Sequence, residues 1–337
     1  MEYGALLRRL IEGGNLTQDE AAAFAGEVMD GNYSPAQAAG LLVALAAKGE
    51  TVDEIAGAAR AMRERSVRVE HDLPTVVDVV GTGGDHANTV NISTMAALVV
   101  AAAGIPVAKH GNRAASSACG SADVLEAAGF PLEIAPERAA AMLRSTGFTF
   151  MFAPRYHPAM RNAAVVRREL GVRTIFNLLG PLTNPAAASH VVVGVAREQL
   201  VERIGETLRA LGARRGAVVH GRSGVDEVAA DAPTLVYQFD EGGARLHELR
   251  PADFGMRASV AMPTSHSVAD ACRTFTEVLG GAPSPAADVV AMNAAMVFHA
   301  IGTEEKLPSA YERARELLQS GAVWPVFERS RAMAIDG

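Results

Sequence analysis

The first 70 residues carry apolar side chains at helical rather than alternating spacing, which predicts a set of amphipathic helices. Thr17 and Thr51 each stand three residues before a glutamate, as in a capping box, and Pro35 suits the first turn of another helix. The apolar faces of such a small helical module can pack against one another or against a second subunit. The spacing of the apolar residues does not distinguish these two arrangements.

Beyond about residue 71 the pattern changes to short β-branched runs separated by helical stretches. Strands separated by helices of this length predict right-handed crossovers and a largely parallel sheet covered on both faces. The predicted fold class is α/β, with a small all-helical N-terminal domain (1–70) and a larger α/β domain (71–337) whose mostly parallel central sheet is flanked by helices. Strands are predicted near 76–80, 105–108, 149–153, 190–196 and 217–220, and the chain from about 265 is again mainly helical.

Composition and charge narrow the class of protein. The chain has 337 residues, 49% of them hydrophobic, so it can bury a sizeable core, and its formal net charge of −7 argues against a general affinity for nucleic acid. Its two cysteines form no disulfide or metal-ligand pattern. The first residues do not look like a secretion signal, and the longest apolar run, 95–108, is shorter than the ~20 residues that span a bilayer. These features predict a soluble cytoplasmic enzyme without nucleic-acid or membrane partners.

Glycine and hydroxyl side chains cluster where the first predicted strand ends. The sequence there reads GTGGD at 81–85, and NTVNIST at 88–94 opens the next helix. Glycine lets the backbone approach an anion, while free amides and hydroxyls at a helix N-terminus donate to phosphate oxygens. The spacing fits neither a nucleoside triphosphate loop nor the dinucleotide fingerprint. The pattern predicts a phosphate site; a tight turn followed by an ordinary Ser/Thr cap is the alternative.

A second polar loop follows the next predicted strand, at 109–123. Lys109 supplies a mobile positive charge, Asn112 a directional donor and acceptor, and three serines supply further phosphate donors. The carboxyl ends of adjacent parallel strands open onto one crevice, so the two loops are predicted to share a ligand. Taken singly, Lys109 and Arg113 are more typical of solvated surface charges. The serines are Ser116, Ser117 and Ser121.

Two further constellations complete the candidate site. Asp226 and Glu227 follow a predicted strand, and Mg²⁺ binds through one or two carboxylates plus substrate phosphates; alone, such a pair is usually a solvated loop. Pro158 suits a first helical turn, and Arg167 shares a helix face with small side chains, where it can bind a carboxylate through two hydrogen bonds. Local pattern alone favours a polar cap for His157 and an exposed, Glu-paired charge for Arg167.

Taken together and in this order, these stretches closely resemble the anthranilate phosphoribosyltransferases, which belong to the nucleoside phosphorylase-like (type III) phosphoribosyltransferases. The resemblance covers most of the chain. It implies transfer of the phosphoribosyl group of phosphoribosyl pyrophosphate to the amino group of anthranilate in tryptophan biosynthesis, with Mg²⁺, two ions per subunit. It also implies that a segment near 165–188 joins the helical domain, and that two subunits form a homodimer through this domain. The motifs are GTGGD (81–85), NTVNIST (88–94), KHGNRAASS (109–117), GSADVLEAAG (120–129), FAPRYHPAM (152–160), VRRELGVRTIFNLLGPLTNP (166–185) and VDEV (225–228).

The resemblance assigns roles residue by residue and implies no covalent nucleophile, with Lys109 acting electrostatically. The implied phosphoribosyl pyrophosphate contacts are Gly81, Gly84, Asp85, Thr89, Asn91, Ile92, Ser93, Thr94, Lys109, His110, Gly111, Asn112, Arg113, Ala114, Ala115, Ser116, Ser117 and Ser121. The implied anthranilate contacts are Gly81, Asn112, His157, Arg167, Gly180 and Pro181, and the implied magnesium ligands are Ser93, Asp226 and Glu227.

Two positions depart from the family pattern. His86 stands where glycine is usual, and Val90 replaces a usual phenylalanine; both bear on loop mobility rather than on the reaction. One alternative is a pyrimidine nucleoside phosphorylase, which shares the helical module and glycine loop but uses inorganic phosphate. The other is a relative of the same fold with another substrate or a nucleic-acid role. The segments 88–94 and 225–228 favour the pyrophosphate-bearing substrate, and 157–160 with Arg167 favours anthranilate.

Overall fold

The computed structural model describes residues 2–114, 117–256 and 258–335, and its N-terminal part is helical as predicted. Thr17, Ser34 and Thr51 each cap a helix in a full capping box, accepting from the backbone of the third helical residue while that residue's side chain bonds back. The predicted helix starts are therefore confirmed. The four helices are α1 (Tyr3–Ile11), α2 (Gln18–Asp30), α3 (Pro35–Lys48) and α4 (Val52–Glu64).

A buried carboxylate ties these helices together. Glu54 is fully buried and accepts hydrogen bonds from the backbone amides of Leu16 and Thr51 and from the ammonium of Lys48, at 2.7–2.9 Å. A buried charge needs such compensation, because an unpaired one would be strongly destabilising. The turn before α2, the end of α3 and the start of α4 are thereby held at one point.

The larger domain is built on a seven-stranded sheet of order β3-β2-β1-β4-β5-β6-β7. Strands β1 to β5 are parallel, and β6 and β7 are antiparallel to their neighbours. From β1 the chain proceeds outward through β2 and β3 and then returns to place β4 on the other side of β1. In open sheets of this kind, ligands bind where the strand order reverses. The strands are β1 (Val77–Gly81), β2 (Val107–Gly111), β3 (Phe148–Phe152), β4 (His190–Gly194), β5 (Arg215–Gly221), β6 (Thr234–Asp240) and β7 (Gly243–Leu249).

The antiparallel hairpin β6–β7 was not among the predicted strands. Its outer strand is an edge strand with exposed Arg245, Leu246 and Glu248, so it lacks the continuous β-branched run by which buried parallel strands were identified. The sheet remains mostly parallel, as predicted, and the five predicted strands all form within a few residues of their expected positions.

Helices cover both faces of the sheet and divide the interior into two apolar cores. Neighbouring residues of β4 show the division: Val192 belongs to the core beneath α5 and α13, whereas Val193 belongs to the core shared with the helical domain. None of the described helices is long and apolar enough to cross a membrane. The helices are α5 (Ile92–Ala102), α6 (Ser121–Ala127), α7 (Pro136–Thr146), α8 (Ala153–Tyr156), α9 (Met160–Leu170), α10 (Phe176–Leu179), α11 (Leu200–Ala210), α12 (Val268–Leu279), α13 (Pro285–Ala300), α14 (Leu307–Gln319) and α15 (Val323–Ile335).

Helices α9 and α10 depart from the sheet and pack on the helical domain. Ala163 and Val166 of α9, and Phe176 and Leu179 of α10, are buried in the same core as the side chains of α2, α3 and α4. The connection between α9 and α10, residues 171–175, is therefore flanked on both sides by residues packed on the helical domain.

Candidate functional site

A cavity of about 770 Å³ opens at the carboxyl ends of the parallel strands. It is lined by the loops after β1, β2 and β5 and by residues of α9 and α10. Every residue for which the family resemblance implied a role lines this one cavity, except Ala115 and Ser116, which lie outside the described residues. The prediction that the strand-end loops share a crevice is thus confirmed by their geometry.

Glycine is required in the loop after β1 for two separate reasons. Gly83 and Gly84 adopt φ values of +62° and +78°, which side-chain-bearing residues rarely occupy. Gly81 is extended, but a Cβ there would lie 2.5 Å from a carboxylate oxygen of Asp226. Helix α5 begins beside this loop, and Asn91 makes no side-chain cap, although the amides of Ile92 and Thr94 already donate to the carbonyls of Val90 and Asn91.

His86 shows why a glycine is expected at its position. It adopts φ +59°, and Asn88 two residues later adopts φ +52°. Left-handed backbone costs an ordinary residue about 1–2 kcal/mol, so the loop carries local strain at the mouth of the cavity. Val90, the other departure from the family pattern, is buried and its amide donates to Pro263 at 2.9 Å, so it anchors the loop from beneath.

Lys109 is fixed and buried, which corrects the prediction of a mobile charge. Only 1% of the residue is exposed, and its ammonium donates to the carbonyl of Val79 (2.6 Å) and the hydroxyl of Ser93 (3.2 Å). Burial lowers its pKa to about 8, while Asp78 and Asp226 act in the opposite direction. Strand β2 is flanked by β1 and β3, so a side chain near its end is enclosed rather than solvated. Lys109 is therefore a preorganised cation.

Three carboxylates from two distant segments meet beside Lys109. Oxygens of Asp85, Asp226 and Glu227 all lie within 4.8 Å of one another, a separation suited to a shared metal ion. Burial and then Asp85 raise the pKa of Asp226 to about 7, and burial followed by Asp226 raises that of Glu227 well above its usual range. Thr89 donates to one oxygen of Glu227 at 3.1 Å. The other Glu227 oxygen is buried without a hydrogen-bond partner within the described part of the chain, so these residues fit a hard divalent cation.

The cavity is also lined by Arg167 and by two buried histidines. Arg167 makes no ion pair within the described residues, and its buried Nε has no partner there, which contradicts the local interpretation of an exposed, Glu-paired charge. His110 donates to the carbonyl of Gly180 at 3.1 Å, and its ring lies 4.9 Å from that of His157. Burial lowers the pKa of His110 to about 4 and that of His157 to about 3, so both rings are neutral at pH 7.

Arg113 lies at the rim of the cavity with its charge already engaged. Its guanidinium binds Asp123 at 3.1 Å and Glu126 at 2.6 Å, both on α6. Asp123, in the first turn of α6, also fixes the backbone of this loop, because its carboxylate accepts from the amides of Ala114 and Gly120 at 2.9 Å. The carbonyl of Asn112 accepts from the Ser121 hydroxyl at 3.2 Å. The second loop is thus folded back on α6.

Sequence reasoning missed three contributors to the site. Asp85 was assigned to substrate and not to the metal cluster, and Asp78, buried beneath Lys109, received no role. A single acidic residue inside a run of buried valines was the available signal for Asp78. Arg173 lines the cavity and donates to the carbonyl of Gly83 at 3.3 Å. Its position in a loop far along the chain gave no local signal.

Comparison with known proteins agrees with this geometry. A family model described as glycosyl transferase family, a/b domain, matches residues 73–324, and one described as the helical bundle domain of that family matches residues 5–66. An anthranilate phosphoribosyltransferase from Symbiobacterium thermophilum is 46% identical over 328 residues, which are 97% of this chain and 96% of the relative. This chain belongs to the anthranilate phosphoribosyltransferase family. The resemblance seen in the motifs is therefore confirmed.

Solved anthranilate phosphoribosyltransferases share the architecture. The enzyme from Thermus thermophilus is 44% identical, with a TM-score of 0.92 over 98% of this chain and 99% of that one. The enzyme from Saccharomyces cerevisiae, solved in complex with phosphoribosyl pyrophosphate and magnesium, is 24% identical, with a TM-score of 0.89 over 99% and 98% of the two chains, and supports the fold. The fold class predicted from the sequence is therefore confirmed.

Proposed function

We propose that this protein transfers the phosphoribosyl group of phosphoribosyl pyrophosphate to the amino group of anthranilate, releasing pyrophosphate, in tryptophan biosynthesis. The observation that carries the proposal is a single cavity that joins a glycine loop, a buried lysine, three carboxylates and an arginine that makes no ion pair with the residues the structure describes. The relatives' names support the same reaction.

The diphosphate of the substrate occupies the half of the cavity around β1 and β2. Those amides of the 81–85 loop and of the start of α5 that make no bond within the protein donate to phosphate oxygens, as do the hydroxyls of Ser93 and Thr94. Thr89 lines the same half of the cavity, and its hydroxyl donates to Glu227. Thr94 Oγ1 supports this assignment, because it is buried and has no hydrogen-bond partner among the described residues. Lys109 lies beneath the same loop as a fixed positive charge.

Magnesium is held by Asp226 and Glu227, with Asp85 beside them and Ser93 contributing at the phosphate side. We assign two ions per subunit, as the family resemblance implies, to the cluster formed by these three carboxylates. When bound, magnesium offsets the charge that grows on the departing pyrophosphate.

Anthranilate lies at the other end of the cavity. Arg167 binds its carboxylate, since a guanidinium that has no ion pair within the described part of the chain is suited to two parallel hydrogen bonds with a carboxylate. Asn112, Gly81 and the neutral ring of His157 contact the aromatic amine, with Gly180 and Pro181 alongside. His110, which the resemblance assigns to phosphoribosyl pyrophosphate, is neutral as well. Because both histidine rings are neutral, the carboxylate is bound by Arg167 rather than by a histidine, which favours one orientation of the substrate.

The residues act by placing reactants and stabilising charge. The amine nitrogen of anthranilate forms a bond to the ribose carbon as the bond from that carbon to pyrophosphate breaks, and the amine then loses a proton to solvent. The electron pair of the broken bond leaves on pyrophosphate, where Lys109 and the loop amides face the developing charge. Holding both reactants in line is worth up to roughly 7–11 kcal/mol in favourable cases. No side chain needs to act as a nucleophile.

We assign two subunits to a homodimer that forms through the helical domain. Helices α9 and α10, which lie in the 165–188 segment or overlap it, are part of this domain. Several exposed apolar side chains support this, because Ile11, Val43, Val165 and Val172 lie on or beside helices of that domain. Sedimentation at micromolar concentration should give twice the chain mass of 35.2 kDa. A cytoplasmic location accords with a pathway of small-molecule biosynthesis.

Loss of anthranilate fluorescence tests the proposed function. The signal should fall only when phosphoribosyl pyrophosphate and magnesium are both present, and inorganic phosphate with a pyrimidine nucleoside should yield no free base. Arg167→Ala should raise the KM for anthranilate by about 10-fold or more, as expected for loss of a charged hydrogen bond, and leave the KM for phosphoribosyl pyrophosphate within about twofold. The neighbouring exposed Arg168→Ala is the control. No fluorescence loss from the wild type would refute the assignment.

A further inference from the structure

Arg173 connects the helical side of the molecule to the glycine loop. It lies in the 171–175 connection, and Val166 before it and Ile175 and Phe176 after it are buried in the core shared with the helical domain. Its guanidinium reaches across the cavity, where Nη1 donates to the carbonyl oxygen of Gly83 at 3.3 Å. The side chain thus spans the two parts of the protein that enclose the substrate cavity.

The glycine loop is held from two sides at this contact. The carbonyl of Gly83 accepts from Arg173, and the amide of Gly83 donates to a carboxylate oxygen of Asp226 at 2.8 Å. The next residue is equally close, because a Cβ on Gly84 would lie 2.1 Å from Nη1 of Arg173. The guanidinium therefore packs directly on the loop backbone, and the position of the loop depends on both an arginine and an acidic residue of the metal-competent cluster.

The environment of Arg173 is costly for a charged group that serves packing alone. Burial lowers the pKa of Arg173, as does the charge of Arg197, and Asp226 opposes both. Its Nη2 is buried and has no hydrogen-bond partner in the part of the chain that the structure describes. A half-buried guanidinium that bonds one neutral acceptor and leaves one buried donor unsatisfied lowers the stability of the folded protein. That such a group is present nevertheless indicates a functional contact.

We infer that Arg173 is a positioning residue for phosphoribosyl pyrophosphate: it acts through Gly83 to hold the 81–85 loop in the conformation that binds the diphosphate. This inference rests on the proposed function and assigns Arg173 a role separate from that of Arg167, which faces the aromatic acid. Loss of the contact raises the entropy of the free loop, so the substrate must order the loop as it binds. Affinity for the diphosphate falls, and affinity for anthranilate does not.

Calorimetric titration with phosphoribosyl pyrophosphate and magnesium, without anthranilate, tests this role. Arg173→Met keeps the aliphatic stem and removes the charge and donors. It should bind phosphoribosyl pyrophosphate about tenfold more weakly and show a matching rise in KM for that substrate, with the KM for anthranilate within twofold of wild type. Arg173→Lys, which keeps a charge and a donor for Gly83, should recover part of the loss. Arg168→Ala, an exposed arginine on α9, is the control.

The outcomes separate this inference from the proposed function. If the wild type binds phosphoribosyl pyrophosphate and Arg173→Met binds it equally well, Arg173 has no positioning role. Equal increases in both KM values, or a lower melting temperature with unchanged KM values, would assign Arg173 to general structure and overturn the inference. If Arg173→Met does not fold, Arg173→Gln decides, with at least threefold weaker binding expected and wild-type binding contradicting the inference. A wild type that binds none would refute the proposed function itself.

Discussion

Neutralising one carboxylate of the acidic cluster should stabilise the protein without metal and abolish its response to magnesium. Oxygens of Asp85, Asp226 and Glu227 approach within 4.8 Å. Two full charges at that distance repel by about 3–4 kcal/mol at an effective dielectric constant near 20. Protonation relieves part of this, because the pKa of Asp226 is raised to about 7 by burial and by Asp85. Asp226→Asn removes the repulsion and keeps an oxygen to accept from Gly83.

The expected gain is largest where Asp226 is ionised. A carboxylate whose pKa is raised in the folded state contributes stability at low pH that is lost as pH rises through the folded value. At pH 8 in EDTA, Asp226→Asn should therefore raise the free energy of unfolding by about 2 kcal/mol, or roughly 3–5 °C in Tm. The difference should shrink as the pH falls and should vanish only below about pH 4, where the carboxyl of the unfolded wild type is protonated as well.

Thermal melts with and without magnesium provide the assay. The wild type should gain about 1.4 kcal/mol at a magnesium concentration tenfold above Kd, and Asp226→Asn should gain almost none. Asp231→Asn is a matched control, because Asp231 is an exposed acidic residue of the same loop outside the cluster. The reasoning would be refuted if Asp226→Asn melted below the wild type at pH 8 in EDTA, or if its magnesium-dependent shift persisted.

Three further predictions follow from the same geometry. Lys109→Met should lower kcat about 100–1000-fold in single-turnover experiments while the KM for anthranilate stays within twofold; an unchanged kcat would exclude an electrostatic role. The urea concentration at the midpoint of unfolding should fall as the pH drops from 6.5 towards 4. His110 and His157 have folded pKa values of about 4 and 3, so only the unfolded chain binds protons at these two residues in that range. Replacing both histidines by Phe should make the midpoint less dependent on pH. Gly84→Ala and Gly13→Ala both place a side chain on a residue with φ near +80°, and each should lower the free energy of unfolding by about 1 kcal/mol in chemical denaturation. Only Gly84→Ala, whose Cβ would meet the guanidinium of Arg173, should weaken binding of phosphoribosyl pyrophosphate.

The sequence by itself determined the features that depend on neighbours a few residues away. Thr17 and Thr51 cap helices through bonds to residues three positions on, so the local pattern was sufficient to place them. The glycine loop at 81–85 was identified for the same reason, because a strand end, left-handed glycines and a following helix start are contiguous. The family motifs also supplied a set of candidate residues before the fold was known, and all of those that the structure describes line one cavity.

Only the tertiary structure decided burial, charge state and pairing across long separations. Lys109 is a fixed buried cation because neighbouring strands enclose it, and Asp85 joins a metal-competent cluster with residues 141 and 142 positions later in the chain. Arg173 reaches Gly83 across 90 residues, and the β6–β7 hairpin joins the sheet through pairing of β6 with β5. Solvation and Coulomb energies depend on all atoms within several ångströms, and folding, rather than spacing along the chain, sets which atoms those are.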